Sequence, residues 1–262
     1  MAAALWVGKT GLDAQQTRMS VIANNLANVS TTGFKRGRAA FEDLLYQNVR
    51  QVGGQTAQNA ELPSGLVLGA GTRVVSTSKL FTQGNVIETG NNLDIAINGR
   101  GFFKINLPDG TAAYTRDGSF QVNKDGQIVT SSGYVLQPEI TIPPGALSCT
   151  ISRDGVVSVQ IAGETDSTEA GNLQLADFIN PAGLQPIGEN LFLQSAASGD
   201  PQEGDPANNG LGTLMQGYLE TSNVNVVEEM VDMIETQRAY EMNSKVISAA
   251  DQMMQSTTQI IR

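Results

Sequence analysis

Histidine is absent from the 262-residue sequence, and cysteine occurs once, as Cys149. The absence of histidine excludes a Ser-His-Asp arrangement and removes the commonest general base and zinc ligand. A single cysteine excludes an intramolecular disulfide. The alternating Leu-Ser-Cys-Thr-Ile stretch around Cys149 shows no activating base, which favours a buried strand position over a nucleophile. We therefore predict no catalytic residue, no metal site and no cofactor.

Positive charge is scarce, because 16 lysine and arginine residues stand against 26 aspartate and glutamate residues, a formal net charge of -10. Phosphate binding needs clustered lysine and arginine, so we predict no nucleic-acid partner and no anionic membrane surface as the main partner. The sequence lacks any run of about 18 apolar residues, so we predict that it is not membrane-embedded. No basic residue precedes the short apolar N-terminal stretch, which predicts no cleavable secretory signal.

Two glycine motifs resemble binding sites but lack the context that such sites need. The Gly99–Gly101 stretch resembles half of a dinucleotide fingerprint, but Lys104 takes the place of the third glycine and a strand is predicted to follow. The Asn123–Gly126 stretch lacks the rest of a calcium-binding loop and is predicted to be a hairpin turn. Because acidic residues are plentiful and scattered, a carbohydrate-active enzyme or cell-surface binding module remains the alternative from a different class.

The N-terminal segment is predicted to be a helix with a heptad-like apolar spacing. This N-terminal seam consists of Leu5, Leu12, Met19, Ile22 and Leu26. Gly8 and Gln15 occupy interleaved positions and make the seam imperfect. The Ser-Thr-Thr-Gly run that ends at Gly33 predicts that the helix ends between Val29 and Gly33.

The C-terminal segment is predicted to be a single helix from about Val226 to Ile260, because no proline follows Pro206. Its apolar stripe shifts phase near Arg238, which locally unwinds any supercoil. This C-terminal seam consists of Val227, Val231, Ile234, Met242, Val246, Met253 and Ile260.

The middle of the chain changes to the period of two that is typical of strands. Asp117-Gly118 and Asp125-Gly126 are read as hairpin turns. The predicted fold class is α+β, with terminal helices that pair as a coiled coil and a mainly antiparallel β domain between them. The predicted domains are an N-terminal helix (1–33), a connecting segment (34–66), the β domain (67–216) and a C-terminal helix (217–262).

The terminal helices need partners. The N-terminal seam buries too little apolar surface to offset the backbone entropy lost when the whole helix becomes ordered. The C-terminal helix of the same chain is one candidate partner, but a two-helix pair still leaves apolar surface for neighbouring copies to cover. A head-to-tail contact that does not close into a ring produces a helical filament, so we expect a self-assembling homo-oligomer.

A polar, glutamine-rich segment from Tyr46 to Gly65 lacks clear periodicity. Read alone, it is predicted to be a linker or an Ω-like loop. The residues singled out in it are Tyr46, Gln47, Arg50, Gln51, Gln55, Leu62, Pro63 and Gly65.

Several long stretches of the sequence resemble the flagellar rod and hook axial proteins. The first is NNLANVSTTGFK, whose signature residues are Asn24, Asn25, Leu26, Asn28, Thr32, Gly33, Phe34 and Lys35. The others are FTQGNVIETGNNLDIAINGRGFF, YTRDGSFQVNKDGQIVTSSGYVLQP and GYLETSNVNVVEEMVDMIETQRAYEMNSKVISAADQMM. Within the family, LWVGKTGLDAQQT and FKRGRAAFEDLLYQNVRQVGG resemble the distal-rod members more than the hook or proximal-rod members, which remain the alternative.

The resemblance implies a structural subunit that is not an enzyme. It implies helices that line the inner tube, export through the flagellar type III apparatus and torque transmission to the hook. The implied partners are copies of the same chain, the proximal rod proteins, the hook protein, and the P-ring and L-ring bushing proteins. The implied location is the basal body, where the distal rod crosses the periplasm to the outer membrane. The segment from Tyr46 to Gly65 resembles the insertion that distinguishes the rigid distal rod from the flexible hook.

The signature residues suggest structural roles. Asn24, Asn25 and Asn28 are interpreted either as polar register-setters between packed helices or as residues that weaken the helix for export. Phe34 is predicted to anchor the exit from the helix into the β region. Lys35 is predicted to lie on a solvated face with Arg36 and Arg38.

Overall fold

The computed structural model describes residues 2–50, 55–57, 60, 61, 64–161 and 167–260. The chain divides into two compact units. The helical unit comprises Met1–Leu26, Gly37–Ser78 and Val226–Arg262, and the β unit comprises Ala27–Arg36 and Lys79–Asn225. The chain therefore passes from one unit to the other four times.

Two long helices, α1 (Ala2–Ala27) and α2 (Val226–Ile260), form the main part of the helical unit. The bounds of α2 confirm the predicted helix. The first helix ends slightly earlier than predicted, because a turn in which Thr31 N–H bonds to Asn28 C=O follows it. Neither helix in the described part of the chain combines the length and apolar character that crossing a bilayer requires.

A long two-stranded β-ribbon completes the helical unit. Its strands are β1 (Gly37–Asp43), β2 (Gln47–Arg50), β3 (Gln55–Ala57), β4 (Ala60–Glu61), β5 (Leu66–Leu68) and β6 (Thr72–Lys79). The pairs β1–β6, β2–β5 and β3–β4 are separate two-stranded sheets that are nested in sequence, and we call their described residues together the β-ribbon. The prediction of a linker or Ω-like loop is therefore wrong for the described residues between Tyr46 and Gly65. Gln51, Leu62 and Pro63 lie outside the described residues.

The β unit begins with short strands whose bounds fall within or close to the predicted period-two segments. They are β7 (Val86–Glu88), β8 (Ile95–Asn98), β9 (Phe102–Asn106), β10 (Ala112–Thr115), β11 (Phe120–Val122), β12 (Ile128–Thr130) and β13 (Val135–Gln137). The later strands are β14 (Ala146–Ile151), β15 (Val156–Ile161), β16 (Thr168–Asn172), β17 (Leu175–Asp177), β18 (Gln185–Gly188), β19 (Leu191–Leu193), β20 (Gln202–Gly204), β21 (Thr213–Gln216) and β22 (Tyr218–Glu220). A 3-10 turn, Pro181–Gly183, precedes β18.

A nine-stranded sheet organises the β unit. Its main path runs β11-β12-β13-β9-β10-β19-β18, with β17 added to β9 and β20 added to β17. A three-stranded sheet, β14-β15-β16, and the pairs β8–β21 and β7–β22 complete the unit. Strand β9 pairs antiparallel with β10, β13 and β17. The prediction of a mainly antiparallel β domain between two helices is confirmed.

Two hydrophobic clusters flank strand β9. Successive side chains of a strand point to opposite faces, so Phe103 enters one cluster and Phe102 enters the other. Phe103 meets Phe120 edge-to-face at 5.1 Å between ring centroids. Phe102 meets Phe178 in the same way at 5.9 Å. The few aromatic residues are therefore concentrated where β9 needs cover on both faces.

Of the two predicted hairpin turns, Asp125-Gly126 is confirmed and Asp117-Gly118 is wrong. Gly126 N–H bonds back to Asn123 C=O between the paired strands β11 and β12. Strands β10 and β11, which flank Asp117-Gly118, each pair with other strands instead. At Gly118 a Cβ atom would lie 1.7 Å from the Ile95 carbonyl oxygen, so the glycine permits a close approach of two backbone segments.

Candidate functional site

The two helices lie antiparallel, and small and polar residues form contacts between them. Arg18 Nη2 lies 3.3 Å from Asp232 Oδ1, and Asn25 Nδ2 donates to Glu229 Oε2 at 3.1 Å. Near the start of α1, a Cβ at Gly8 would lie 2.9 Å from Ile247 Cγ1. The absence of a side chain at Gly8 therefore allows the helices to approach closely.

Residues that seemed to interrupt the N-terminal seam belong to the contact face. Gly8 is buried, and a Cβ at Gly11 would lie 3.0 Å from Asn243 Nδ2. Gly11, Arg18 and Asn25 recur every seven residues, and each lies against α2. The sequence signal for this face is the heptad spacing of glycine and polar residues. Apolar periodicity alone does not reveal it. Of the N-terminal seam itself, Ile22 is buried, while Leu5, Leu12, Met19 and Leu26 are half-buried.

The structure does not place the C-terminal seam between the two helices. Val227 is 70% exposed, Met242 62% and Val246 53%. Val231, Ile234 and Met253 are also exposed, while nothing is described of the Ile260 side chain. The buried residues of α2 are Glu229, Thr236 and Ala250 instead. Within one copy, α2 therefore presents a long apolar stripe to solvent.

Asn25 lies between the helices and also binds the start of the ribbon. Its amide nitrogen donates to Gly37 C=O at 2.9 Å, and its amide oxygen accepts from Gly37 N–H at 2.7 Å. With the bond to Glu229, the buried Asn25 side chain connects both helices and strand β1. Asn24 is exposed, and Asn28 accepts a bond from the Thr31 hydroxyl. Asn25 bonds to α2, and the register-setting role of the three asparagines stays a prediction.

Lys35 is buried, so its predicted position on a solvated face is wrong. Its ammonium donates to Glu220 Oε1 at 2.6 Å and to Thr82 C=O at 2.9 Å. Glu220 also accepts from Gly84 N–H at 2.8 Å and from Arg116 Nη1 at 3.4 Å. We call these residues the Lys35 cluster. This cluster could not be predicted from local sequence, because the carboxylate partner of Lys35 lies 185 residues away along the chain.

Burial dominates the electrostatics of the Lys35 cluster. It lowers the pKa of Lys35 below its ordinary value, and the neighbouring Glu220 carboxylate opposes that change. Burial also lowers the pKa of Arg116, again against the effect of Glu220. The Arg116 guanidinium lies 5.3 Å from the centre of the Phe102 ring. The Lys35 and Arg116 cations thus share one buried carboxylate, and its negative charge offsets part of the cost of burying each of them.

Hydrogen bonds around the Lys35 cluster join three segments that end where the chain leaves the β unit. Leu80 N–H bonds to Arg36 C=O at 2.8 Å. Asn223 accepts from Arg36 N–H at 2.7 Å and donates to Leu80 C=O at 2.8 Å. Gly33 N–H bonds to Glu220 C=O at 2.8 Å. Three of the four points where the chain passes between the units, at residues 36, 79 and 225, are therefore fixed relative to one another.

The remaining signature residues are fixed in the same region. Gly33 has a φ of +68°, and a Cβ there would lie 2.7 Å from the Asp117 backbone nitrogen, so both conformation and space require glycine. Thr32 donates to the Asp117 carboxylate at 3.1 Å. Phe34 is buried, and Lys79 Nζ lies 4.1 Å from its ring centre. The anchoring role of Phe34 stays a prediction.

The β-ribbon presents apolar side chains to solvent. Leu45 is 91% exposed, and Val49 on β2 and Leu66 on β5 are also exposed. Gln47 and Arg50 are exposed on β2, while Gly65 is half-buried. Tyr46 is exposed, and a hydrogen bond to the Asp43 carboxylate raises its pKa. An isolated two-stranded ribbon is marginally stable in water, so such a ribbon needs a surface to pack on.

Family models for flagellar proteins match three parts of the chain. The model for flagella basal body rod proteins matches residues 5–35. The model for the D1 domain of flagellar hook protein FlgE/F/G matches residues 96–159. The model for the C-terminal part of the flagellar basal body rod FlgEFG proteins matches residues 215–260.

Curated relatives extend the similarity to nearly the whole chain. The flagellar basal-body rod protein FlgG of Buchnera aphidicola subsp. Schizaphis graminum is 57% identical over 99% of this chain and 100% of its own length. The chain belongs to the flagellar basal-body rod protein family. Rod-family relatives with the same name include that of Buchnera aphidicola subsp. Acyrthosiphon pisum, 56% identical over 99% of this chain and 100% of the relative. That of Agrobacterium fabrum is 50% identical over 95% of this chain and 96% of the relative.

The three ranges matched by the rod-family models meet in the Lys35 cluster. Lys35 lies in the first range, Arg116 in the second and Glu220 in the third. The cluster therefore ties together parts of the chain that the family models describe separately.

Proposed function

We propose that the chain is the structural subunit of the flagellar distal rod and assembles into a rigid helical tube. The tube would transmit motor torque to the hook and enclose part of the export channel. The observation that carries the proposal is the exposed apolar stripe on α2, which includes Val227, Val231 and Met242. The full-length relatives, which are flagellar basal-body rod proteins, support the rod assignment, and we propose no enzymatic activity.

The α2 stripe supports self-assembly because it is too extended for a surface of a solitary chain. Contiguous exposed apolar patches usually mark contacts with other proteins. The contacts between α1 and α2 use Gly8, Arg18 and Asn25, which leaves the α2 stripe available for neighbouring copies. In this proposal, helices of adjacent copies cover the stripe, and the paired helices form the inner wall of the tube.

The β-ribbon supports a rigid tube. We propose that the described part of the segment from Tyr46 to Gly65 packs between neighbouring copies and prevents them from sliding. The exposed apolar residues Val49 in this segment and Leu45 directly before it would then be covered by the next subunit. A hook or proximal-rod subunit is the second candidate, and the resemblance of this segment to the distal-rod insertion favours the first.

The family resemblance also supports a location and a set of partners. The proposed location is the basal-body rod that crosses the periplasm to the outer membrane. The proposed partners are the proximal rod proteins, the hook protein, the P-ring and L-ring proteins and the type III export apparatus.

A charge on the α2 stripe tests the proposal. We expect Val231→Asp to abolish polymerisation of the purified full-length protein, because assembly would bury an unpaired carboxylate. Sedimentation and electron microscopy measure assembly, and circular dichroism checks that the β unit remains folded. Gln237→Asp is the control, because residue 237 is an exposed polar position on the same helix. Normal filaments from Val231→Asp would contradict the proposal.

A further inference from the structure

Strand β14 forms an outer edge of the three-stranded sheet and borders an uncharged groove. Leu147 on this strand is 71% exposed. The groove has a volume of about 390 Å³, and its described lining residues include Leu93, Val122 and Ile142 but no charged side chain. Residues 140–152 also contain no charged residue. The β14 edge is therefore apolar and neutral in a chain whose formal net charge is -10.

Strand β18 forms an outer edge of the nine-stranded sheet and is neutral as well. Residues 178–188, FINPAGLQPIG, contain no charged side chain. All four residues of β18 are exposed, including Ile187 at 44%. Ile179, which precedes β18, is 77% exposed. This segment therefore offers two apolar side chains beside a sheet edge.

Neither edge strand carries a charged side chain, but each is shielded from pairing with an added strand. Strand β18 contains Pro186, and the Gln216 side chain bonds to Cys149 C=O and Ile151 N–H on β14. The exposed apolar side chains beside these strands are therefore better suited to contact another copy than the strand backbones are. Copies of an acidic protein repel one another, so close contact between them is favoured where their surfaces carry no charge. The other large hollow of the β unit differs, because Lys104, Glu139 and Glu203 line it. The β14 groove and the β18 segment are thus two uncharged apolar surfaces of the β unit that suit contact with another copy.

We propose that Ile179 and Ile187 of one copy dock into the groove beside Leu147 of the next copy. This inference rests on the proposed self-assembly and assigns a contact within it. Leu147 and Ile179 are both largely exposed within a single copy, so these surfaces do not cover each other there. Two different surfaces meet in this contact, so it is heterologous and can repeat along an open helical polymer.

Site-directed cross-linking tests the contact in the full-length protein. Replacing Cys149 with serine removes the only native cysteine, and Leu147→Cys and Ile187→Cys then each add one thiol. We expect a mixture of the two single-cysteine proteins, once assembled, to form cross-linked dimers under mild oxidation. The mixture of Leu147→Cys with Ile87→Cys is the matched control, because Ile87 is also exposed in the β unit. Below the concentration for assembly, neither mixture should cross-link.

The outcomes separate this contact from the proposed function. Polymers in which the Leu147–Ile187 mixture cross-links no more than the Ile87 control would overturn the contact and leave self-assembly standing. Self-cross-linking of Leu147→Cys alone would also overturn it, because the grooves of two copies would then face each other. If the Cys149→Ser protein and the native protein both form no polymer, self-assembly fails and the contact fails with it.

A charge exchange provides a second readout. We expect Leu147→Glu or Ile187→Lys alone to raise the critical concentration for assembly about tenfold or more, because each buries an unpaired charge. The double variant should recover most of the loss, because the two charges then meet across the contact. Ile87→Glu should change nothing. A double variant no better than the single variants, or single variants with normal assembly, would overturn the proposal.

Discussion

Lys35 has a structural role in the β unit that the residues next to it in sequence do not indicate. Its side chain is buried, and the run Lys-Arg-Gly-Arg around it looks like a solvated basic face. The ion pair with Glu220 does not by itself imply high stability, because burial of both charges costs about as much as their attraction returns. The cluster instead favours one arrangement of three of the four segment ends of the β unit, because Lys35 bonds to Glu220 and Leu80 N–H bonds to Arg36 C=O.

Glu220→Gln is expected to lower the free energy of unfolding of the β unit by about 3–5 kcal/mol, because it leaves Lys35 and Arg116 without a buried counter-charge. Urea unfolding followed by fluorescence or circular dichroism measures the change. Glu203→Gln is the matched control, since Glu203 pairs with Lys104 at 2.7 Å on the surface. An exposed pair contributes at most about 1 kcal/mol. Equal destabilisation by the two substitutions would show that the Lys35 cluster behaves like a surface pair.

Gly8 shows the opposite case, a residue that matters because it lacks a side chain. Replacing glycine with alanine in a helix normally stabilises it by roughly 1 kcal/mol. At Gly8 the added Cβ would meet Ile247 at 2.9 Å, so the helices would have to move apart.

We therefore expect Gly8→Ala to lower the thermal stability of the helix pair, although the higher helix propensity of alanine alone would raise it. Circular dichroism at a helical wavelength measures the midpoint, and Ile247→Ala in the same chain should restore it. Ser20→Ala, at an exposed position of α1, is the control for propensity alone. A higher midpoint for Gly8→Ala than for the parent protein would contradict the close approach of the helices.

At the scale of elements, strong local signals predicted the fold well. The absence of proline after Pro206 and the continuing apolar stripe were sufficient to predict α2. The period of two and the glycine turns predicted much of the β unit. The packing partner of each helix was harder to predict. Apolar periodicity identifies the apolar face of a helix but does not say which surface packs against that face. The C-terminal seam was visible in the sequence, but its exposure within one copy was not.

The β-ribbon was missed for a different reason. Glutamine, asparagine and glycine are weak strand formers, and they obscured the strand pattern between Tyr46 and Gly65. The pairing of Gln47 with Leu68 depends on residues about twenty positions apart, which a search for short hairpin turns does not detect. Ribbon formation is therefore decided by nested pairing with its second strand and not by local propensity.

At the scale of the whole molecule, the ribbon is expected to control the stiffness of the polymer. Deletion of residues 46–65 should give filaments that bend, because neighbouring copies would lose the packing that prevents sliding. Electron microscopy of assembled filaments, analysed as persistence length, measures the effect. A straight filament from the deletion variant would refute this role.

A second variant distinguishes the effect of ribbon length from the effect of the exposed apolar side chains. The triple substitution Leu45→Thr, Val49→Thr and Leu66→Thr keeps strand-forming residues and the full ribbon length, while removing exposed apolar surface. Bending in both variants would show that apolar packing sets the stiffness. Bending in the deletion variant alone would assign stiffness to the bulk of the ribbon.

The antiparallel pairing of α1 with α2 has a consequence for timing. A chain delivered N-terminus first, from a ribosome or through a narrow conduit, releases α1 at the start and α2 at the finish. Gly8 cannot meet Ile247 until almost the entire chain has emerged. In such delivery, α1 remains unpaired until α2 arrives, so a partly delivered chain lacks the helix pair that the proposed polymer needs.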